Sequence, residues 1–89
     1  MHVEHKRLYD TILKLKDLQQ AEAFFKDLCT EKELKDFSDR LEVAEKLLEG
    51  KTYDQISKET SASSATIARV NRAIMYGKGG YKSVIQNDS

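Results

Sequence analysis

Apolar residues recur at helical spacing through the first half of the chain: Leu8, Ile12 and Leu15, then Phe24, Phe25 and Leu28, then Leu34, Phe37, Leu41, Ala44 and Leu48. Positions three and four apart share one face of a helix, so three amphipathic helices are predicted before Gly50. Asp17-Leu18-Gln19-Gln20 contains no strong breaker and predicts only a bend between the first two. Thr30-Glu31-Lys32-Glu33 marks a sharper boundary. There the Thr30 hydroxyl can accept from the Glu33 amide while the Glu33 carboxylate reaches back to the Thr30 amide, a capping box. The same device returns at Thr52-Tyr53-Asp54-Gln55, directly after Gly50, whose missing side chain suits a left-handed helix end. β-Branched residues are scattered and nowhere alternate over five or six positions, so no strand is predicted and the fold class is all-α.

The segment from Thr52 to Arg72 reads as a helix-turn-helix. Its first helix is predicted over about Thr52 to Thr60 with Ile56 inward, its turn is Ser61-Ala62-Ser63, and its second helix opens with Ser64-Ala65-Thr66. Ile67 and Val70 are predicted to be buried, leaving Ala65, Thr66, Ala68, Arg69 and Arg72 largely free for an outside partner. In this motif the second helix lies in the DNA major groove while the first crosses the backbone. Two positions depart from the usual pattern. Ser61 stands where glycine is common, which predicts a steric cost in the turn, and Thr60 stands where a leucine is often buried. An ordinary helical hairpin with a polar surface is the competing reading. Beyond it, the glycines after Tyr76 are predicted to end the second helix, and Tyr81, Val84 and Ile85 can support a final helical turn before a frayed end. The chain is read as one domain over residues 1–89, with dimerisation helices at about 2–49, the helix-turn-helix at about 52–75 and a tail at 76–89.

Charge sharpens this picture. The net charge is zero, which by itself argues against a nucleic-acid partner, because phosphate neutralisation supplies much of the affinity. Residues 1–50, however, hold nine Lys/Arg against twelve Asp/Glu, whereas residues 51–82 hold six against two. The basic excess falls on the motif, so an acidic scaffold carries a basic head that is steered toward DNA locally. With 89 residues the core is modest, and help from a partner subunit is expected. The single cysteine, Cys29, excludes an intrachain disulfide and suits a buried apolar role better than an activated thiol. No apolar run approaches the roughly 18 residues of a membrane span, and the N-terminus lacks the apolar core of a signal peptide. A soluble, cytoplasmic protein is expected, nucleoid-associated when bound to DNA.

Enzymatic chemistry has no foothold. The acidic residues of the third helix alternate with lysines at helical spacing, as in Glu42-Lys46, which describes a solvated face rather than paired catalytic carboxylates. His2 and His5 are two ligands at a terminus and are read as inert, so no metal site is expected. No phosphate loop or nucleophile elbow occurs.

The run from Cys29 to Arg72 resembles the tryptophan repressor family of bacteria. It has a threonine before an acidic helix start, an arginine ten residues later, the Leu-Leu-x-Gly helix end and the Ala-Thr-Ile-x-Arg core of the second helix. Arg-Val-Asn-Arg followed by Tyr-Gly-x-Gly-Gly-Tyr extends the likeness over nearly the whole chain to the repressor-related YerC/YecD proteins of Gram-positive bacteria. The resemblance implies an interleaved homodimer binding double-stranded DNA as a transcriptional regulator, most often a repressor. A monomeric bundle is the alternative.

It also implies a candidate effector pocket at Thr30, Arg40 and Arg69, where the family's two arginines flank an indole. Guanidinium groups stack on aromatic rings and pair with carboxylates, which suits an aromatic amino acid. Two neighbours differ. Val70 replaces a glycine against which the ligand lies, and Ala73 replaces a serine that meets its amino group, so both argue against L-tryptophan as corepressor. No other cofactor is implied, and a different small-molecule effector stays open. Outside such a pocket, Arg40 reads as a salt-bridge partner of Asp36, Asp39 or Glu42, Arg69 as a phosphate contact and Thr30 as a helix cap.

For DNA, Thr66, Arg69, Arg72 and Lys58 suit phosphate contacts, and the resemblance places base-edge contacts at Ser57, Ser63, Ser64, Ala65 and Ala68. None of these is a long bidentate reader, so water-mediated and shape-based discrimination is expected. Two other uses of the same hairpin remain open: a protein-interaction module, or a replication-associated DNA binder.

Overall fold

The computed structural model describes residues 2–86. They form six helices: α1 Lys6–Ile12, α2 Leu18–Leu28, α3 Glu31–Leu48, α4 Tyr53–Glu59, α5 Ser64–Tyr76 and α6 Gly80–Ile85. No strand occurs among the described residues. Two compact units divide between Leu34 and Lys35. The division falls inside α3. The fraying expected at the end of the chain falls on residues 87–89, outside the described residues.

In the N-terminal unit the bend expected near Asp17 is a full break. Helix α1 stops at Ile12, leaving Leu15 beyond it, and α2 starts afresh after Asp17, which is extended (φ −150°, ψ 174°). The Asp17 carboxylate accepts from the Gln20 amide at 2.8 Å while the Gln20 side-chain oxygen accepts from the Lys16 amide at 2.9 Å. An aspartate that satisfies a free first-turn amide needs no glycine or proline to start a helix. The Phe24 and Phe25 rings meet edge to face at 5.4 Å. Cys29 is a free, half-buried thiol that follows α2. The capping box at the start of α3 forms as expected, with Glu33 donating to the Thr30 hydroxyl at 3.1 Å and Thr30 donating to the Glu33 carboxylate at 2.8 Å. No residue from 2 to 34 is buried, and Leu13 and Leu18 are 82% and 85% exposed.

The C-terminal unit owns the core. Val43, Ala44, Ile56, Ile67 and Val70 are at most 1% exposed, with Leu47, Ala62, Ile74, Tyr81 and Ile85 packed around them. Each large aliphatic side chain removed from water contributes about 1.5–3 kcal/mol. Helix α3 presents Val43, Ala44 and Leu47 to this core, whereas Phe37 and Leu41 are 44% and 46% exposed. Of the predicted stripe, Ala44 is buried and Leu34 and Leu48 are half-buried, and Val43 and Leu47 extend the buried face on the neighbouring register. At the end of α3, Gly50 takes φ 91°, Gly50 donates to the Leu47 carbonyl at 3.0 Å and Lys51 to the Lys46 carbonyl at 3.1 Å. These are the two bonds of a Schellman ending, and they require the left-handed φ that glycine adopts without strain.

Helix α5 lies against both α4 and α6. Gly77 ends it, and a Cβ there would fall on the Ala73 carbonyl oxygen. Tyr81 and Ile85 anchor α6 to the core, while Val84 points outward, 78% exposed. No helix among the described residues is long and apolar enough to cross a membrane.

Candidate nucleic-acid interface

Local hydrogen bonds place α4 and α5. Thr52 and Gln55 form the expected capping box, with Gln55 donating to the Thr52 hydroxyl at 3.1 Å and Thr52 donating to the Gln55 side chain at 2.9 Å. Thr60 explains its own departure from the usual pattern. Extended at φ −129° and ψ 171°, it donates its hydroxyl to the Ile56 carbonyl at 2.8 Å and accepts from the Ala62 amide at 3.2 Å. One side chain thus closes α4 and shapes the turn, work for which a leucine has no polar atom. The steric cost expected at Ser61 does not arise. Among the described residues His5 is the sole non-glycine with positive φ, so the turn never asks Ser61 for a left-handed backbone. Ser63 then caps α5, accepting from the Thr66 amide at 3.1 Å and donating its hydroxyl to Thr66 Oγ1 at 3.1 Å.

The faces of α5 separate cleanly. Ile67 and Val70 are buried, Ser64, Ala65, Arg69 and Arg72 are exposed, and Thr66 and Ala68 are half-buried. Ser57 and Lys58 are exposed on α4. Among the described residues neither Arg69 nor Arg72 makes a hydrogen bond or ion pair, so both guanidinium groups keep their full donor capacity for an anion. Lys58 lies 3.2 Å from Asp54 in a well-exposed pair. Such a pair holds at most about 1 kcal/mol and leaves the ammonium available to a phosphate.

Two lysines also converge on the Glu59 carboxylate, Lys51 at 2.8 Å and Lys46 at 3.0 Å. Lys46 thus reaches from α3 to α4 instead of forming the Glu42-Lys46 pair that its spacing suggests. Hydrogen bonds from Lys51 and then Lys46 hold the Glu59 carboxyl below the ordinary carboxylate range, and the bond to Glu59 holds Lys46 above the ordinary lysine value. A depressed carboxylate contributes stability that is present above its unfolded pKa and lost as pH falls through its folded value. The thermal midpoint of the native chain is therefore expected to exceed that of Glu59→Gln near neutrality, with the gap closing as the solution is acidified through that range. A gap that stays constant with pH would assign the difference to shape instead of charge.

Arg40 and Arg69 line a recess of about 190 Å³ with Asp36, Asp39 and Thr66. The Arg40 guanidinium lies 5.2 Å from the centre of the Phe37 ring, and Asp39 accepts from Lys35 at 2.7 Å. The stack on Phe37, one turn earlier on α3, was visible in the i, i+3 spacing. Val70 is in the core and does not line this recess. Ala73 is exposed and lines a separate hollow with Gly77, Lys78, Gly80 and Tyr81. Thr30 serves as the cap of α3. His5 meets the Tyr9 ring edge-on at 6.5 Å, and no group of three or more His, Cys, Asp or Glu among the described residues could hold a metal ion.

This arrangement has relatives. The chain is 48% identical over 82 residues to the uncharacterised protein YerC of Bacillus subtilis, covering 92% of this chain and 79% of that one. A crystal structure of a TrpR-like protein from Eubacterium eligens matches with a TM-score of 0.88 at 48% identity, over 92% of this chain and 84% of that one. That of a candidate Trp repressor from Staphylococcus aureus matches with a TM-score of 0.88 at 40% identity, over 91% and 81%. Residues 4–89 match the Trp repressor protein family as a whole, and on this extent of likeness the chain belongs to the Trp repressor family.

Proposed function

We propose that the chain is a sequence-specific regulator of transcription that binds double-stranded DNA through α4 and α5 as a homodimer. The observation that carries this reading is the outward face of α5, where Arg69 and Arg72 stand exposed and unpaired beside the short side chains Ser64 and Ala65. Unpaired guanidinium groups position a protein on phosphates, and small residues at the start of a recognition helix allow its backbone close to base edges. Membership of a repressor family and the placement of both α4 carboxylates in ion pairs support the same reading.

Dimerisation is supported by the N-terminal unit, which exposes Leu8, Leu13, Leu18 and Leu28 and buries nothing. So much unpartnered apolar surface on about 30 residues is what an exchanged or shared core would cover. A two-fold dimer sets paired readers about 34 Å apart, one turn of the duplex. Selection from a random duplex pool is expected to enrich a palindromic site with that half-site spacing. If no duplex is enriched at low salt, with or without a cytosolic metabolite extract, the hairpin serves a protein partner instead.

L-Tryptophan is not the effector in this reading. A recess of about 190 Å³ is smaller than the roughly 300 Å³ at which ligand pockets begin. Its two aspartates also repel the carboxylate that the arginines would attract. Titration calorimetry with L-tryptophan is expected to give no heat of binding at micromolar to submillimolar ligand, and a micromolar Kd would overturn this part of the proposal.

A further inference from the structure

The Ser63 and Thr66 hydroxyls stand in series at the start of α5. Ser63 Oγ accepts from the Thr66 amide at 3.1 Å and donates to Thr66 Oγ1 at 3.1 Å. A serine hydroxyl carries one proton, so these two bonds leave Ser63 with no donor for a group outside the chain. Thr66 is in the opposite position. A threonine at helical spacing can give its proton to the carbonyl one turn back, as Thr11 does to Arg7 at 2.7 Å and Thr60 to Ile56 at 2.8 Å. Thr66 makes no such bond among the described residues: its oxygen accepts from Ser63 and its own proton has no acceptor. Thr66 also precedes Arg69 by three residues, which puts the two on one face of α5. Both bonds close within the first turn of that helix and need no group from a partner subunit.

We infer that Ser63 is a positioning residue for duplex binding: its hydroxyl holds Thr66 Oγ1 with the Thr66 proton directed outward, as a hydrogen-bond donor to the phosphate that Arg69 meets. The inference rests on the regulator reading, and it gives Ser63 a different part from the base-edge contact that the family resemblance implies. Polarity carries the argument. An ionised phosphate oxygen only accepts, so Thr66 bonds to it only by donating, and the Thr66 oxygen is then completed by the Ser63 proton. The reverse order, with Thr66 donating to Ser63, would turn lone pairs toward the phosphate. A hydroxyl that already accepts a hydrogen bond is also the stronger donor, because bonds in a chain polarise one another. A contact of this kind carries no sequence information, and being neutral it releases no counterion.

The test measures the affinity of the full chain for a duplex selected from a random pool, and for a random-sequence duplex of equal length, across a salt series. Thr66→Val keeps the branched shape and removes the donor. It is expected to weaken both duplexes alike, by about tenfold or more for one hydrogen bond to a charged group, with the slope of log K against log salt unchanged because no cation is lost. Ser63→Gly removes the hydroxyl while leaving an acceptable helix cap, and should weaken both duplexes by about twofold to tenfold. In the Thr66→Val background Ser63→Gly should have no further effect, since Ser63 acts through Thr66 alone. Ser63→Thr keeps both cap and donor and should bind as the native chain does. Losses that add in the double variant, or a Ser63→Gly loss confined to the selected duplex, would make Ser63 a contact in its own right and overturn the inference. So would native affinity in Thr66→Val. Each of these outcomes leaves duplex binding by the native chain, and with it the regulator reading, in place, whereas a native chain that binds no duplex overturns both.

Discussion

Replacing Ile67 with alanine is expected to lower the unfolding free energy of the chain by about 2–5 kcal/mol, because a fully buried side chain is lost and the space it leaves cannot close. Ile67 stands with Val43, Ala44, Ile56 and Val70 in a core of five buried residues. In so small a core no redundant layer absorbs the defect. A domain has only about 5–15 kcal/mol in all, so the urea midpoint should fall by a large fraction of its native value. The conservative change Ile67→Val removes one methylene and should cost about 0.5–1.5 kcal/mol. The ratio of the two separates a packing effect from a change in helix propensity, which acts in the opposite direction, since alanine is the better helix former. An Ile67→Ala midpoint equal to the native one would mean that the packing of α5 on α3 and α4 is not what holds this unit together. Because the proposed dimer makes stability depend on concentration, all variants are compared at one protomer concentration.

The features that hold α4 and α5 in place differ in how far they could be read from the chain alone. Both capping boxes, at Thr30 with Glu33 and at Thr52 with Gln55, are legible because each is closed within four residues and needs nothing from elsewhere. The partition of α5 into buried Ile67 and Val70 and outward Ala65, Arg69 and Arg72 follows from the helical period once the start of the helix is known. The cap at Asp17 is equally local, but with neither glycine nor proline beside it the sequence predicts only a bend there, although Gln20 stands three residues on, as Gln55 does from Thr52. The register of α3 is less local. Two apolar stripes fit its period, and only the positions of Ile56 and Ile67 decide that Val43, not Leu41, turns inward.

The candidate site divides along the same line. That Arg40 and Arg69 share a recess follows from the resemblance, but its small volume and its lining by Asp36 and Asp39 depend on how α3 and α5 pack. Lys46 chooses Glu59 over Glu42 for the same reason, since a tertiary neighbour on α4 competes with the partner one turn back on α3. Ala73 lies near the end of α5, where the core gives out before the helix does. There Gly77 turns the chain away and leaves Ala73 beside an open hollow.

In the double variant Arg69→Ala/Arg72→Ala, affinity for every duplex is expected to fall by about a hundredfold or more at low salt, with the fold and the urea midpoint unchanged. Both side chains are exposed and unpaired among the described residues, so nothing in the folded chain is lost with them. A hydrogen bond to a charged group contributes about 1.5–3 kcal/mol, and about 1.4 kcal/mol is tenfold in Kd. Each phosphate contact removed should also lower the slope of log K against log salt by about 0.9. The size of that drop measures more than the two residues. A single bound chain loses two contacts and a slope of about 2, whereas a two-fold dimer loses four and a slope of about 4, so one salt titration examines the phosphate role and the stoichiometry together. Ala65→Leu serves as the contrast, since a bulky side chain at the exposed start of α5 obstructs approach to base edges without touching charge. It should damage binding to a selected site more than binding to random duplex and leave the nonspecific slope in place. If the double variant kept the native slope, Arg69 and Arg72 would not be phosphate contacts, and the outward face of α5 would have to meet a partner other than a duplex.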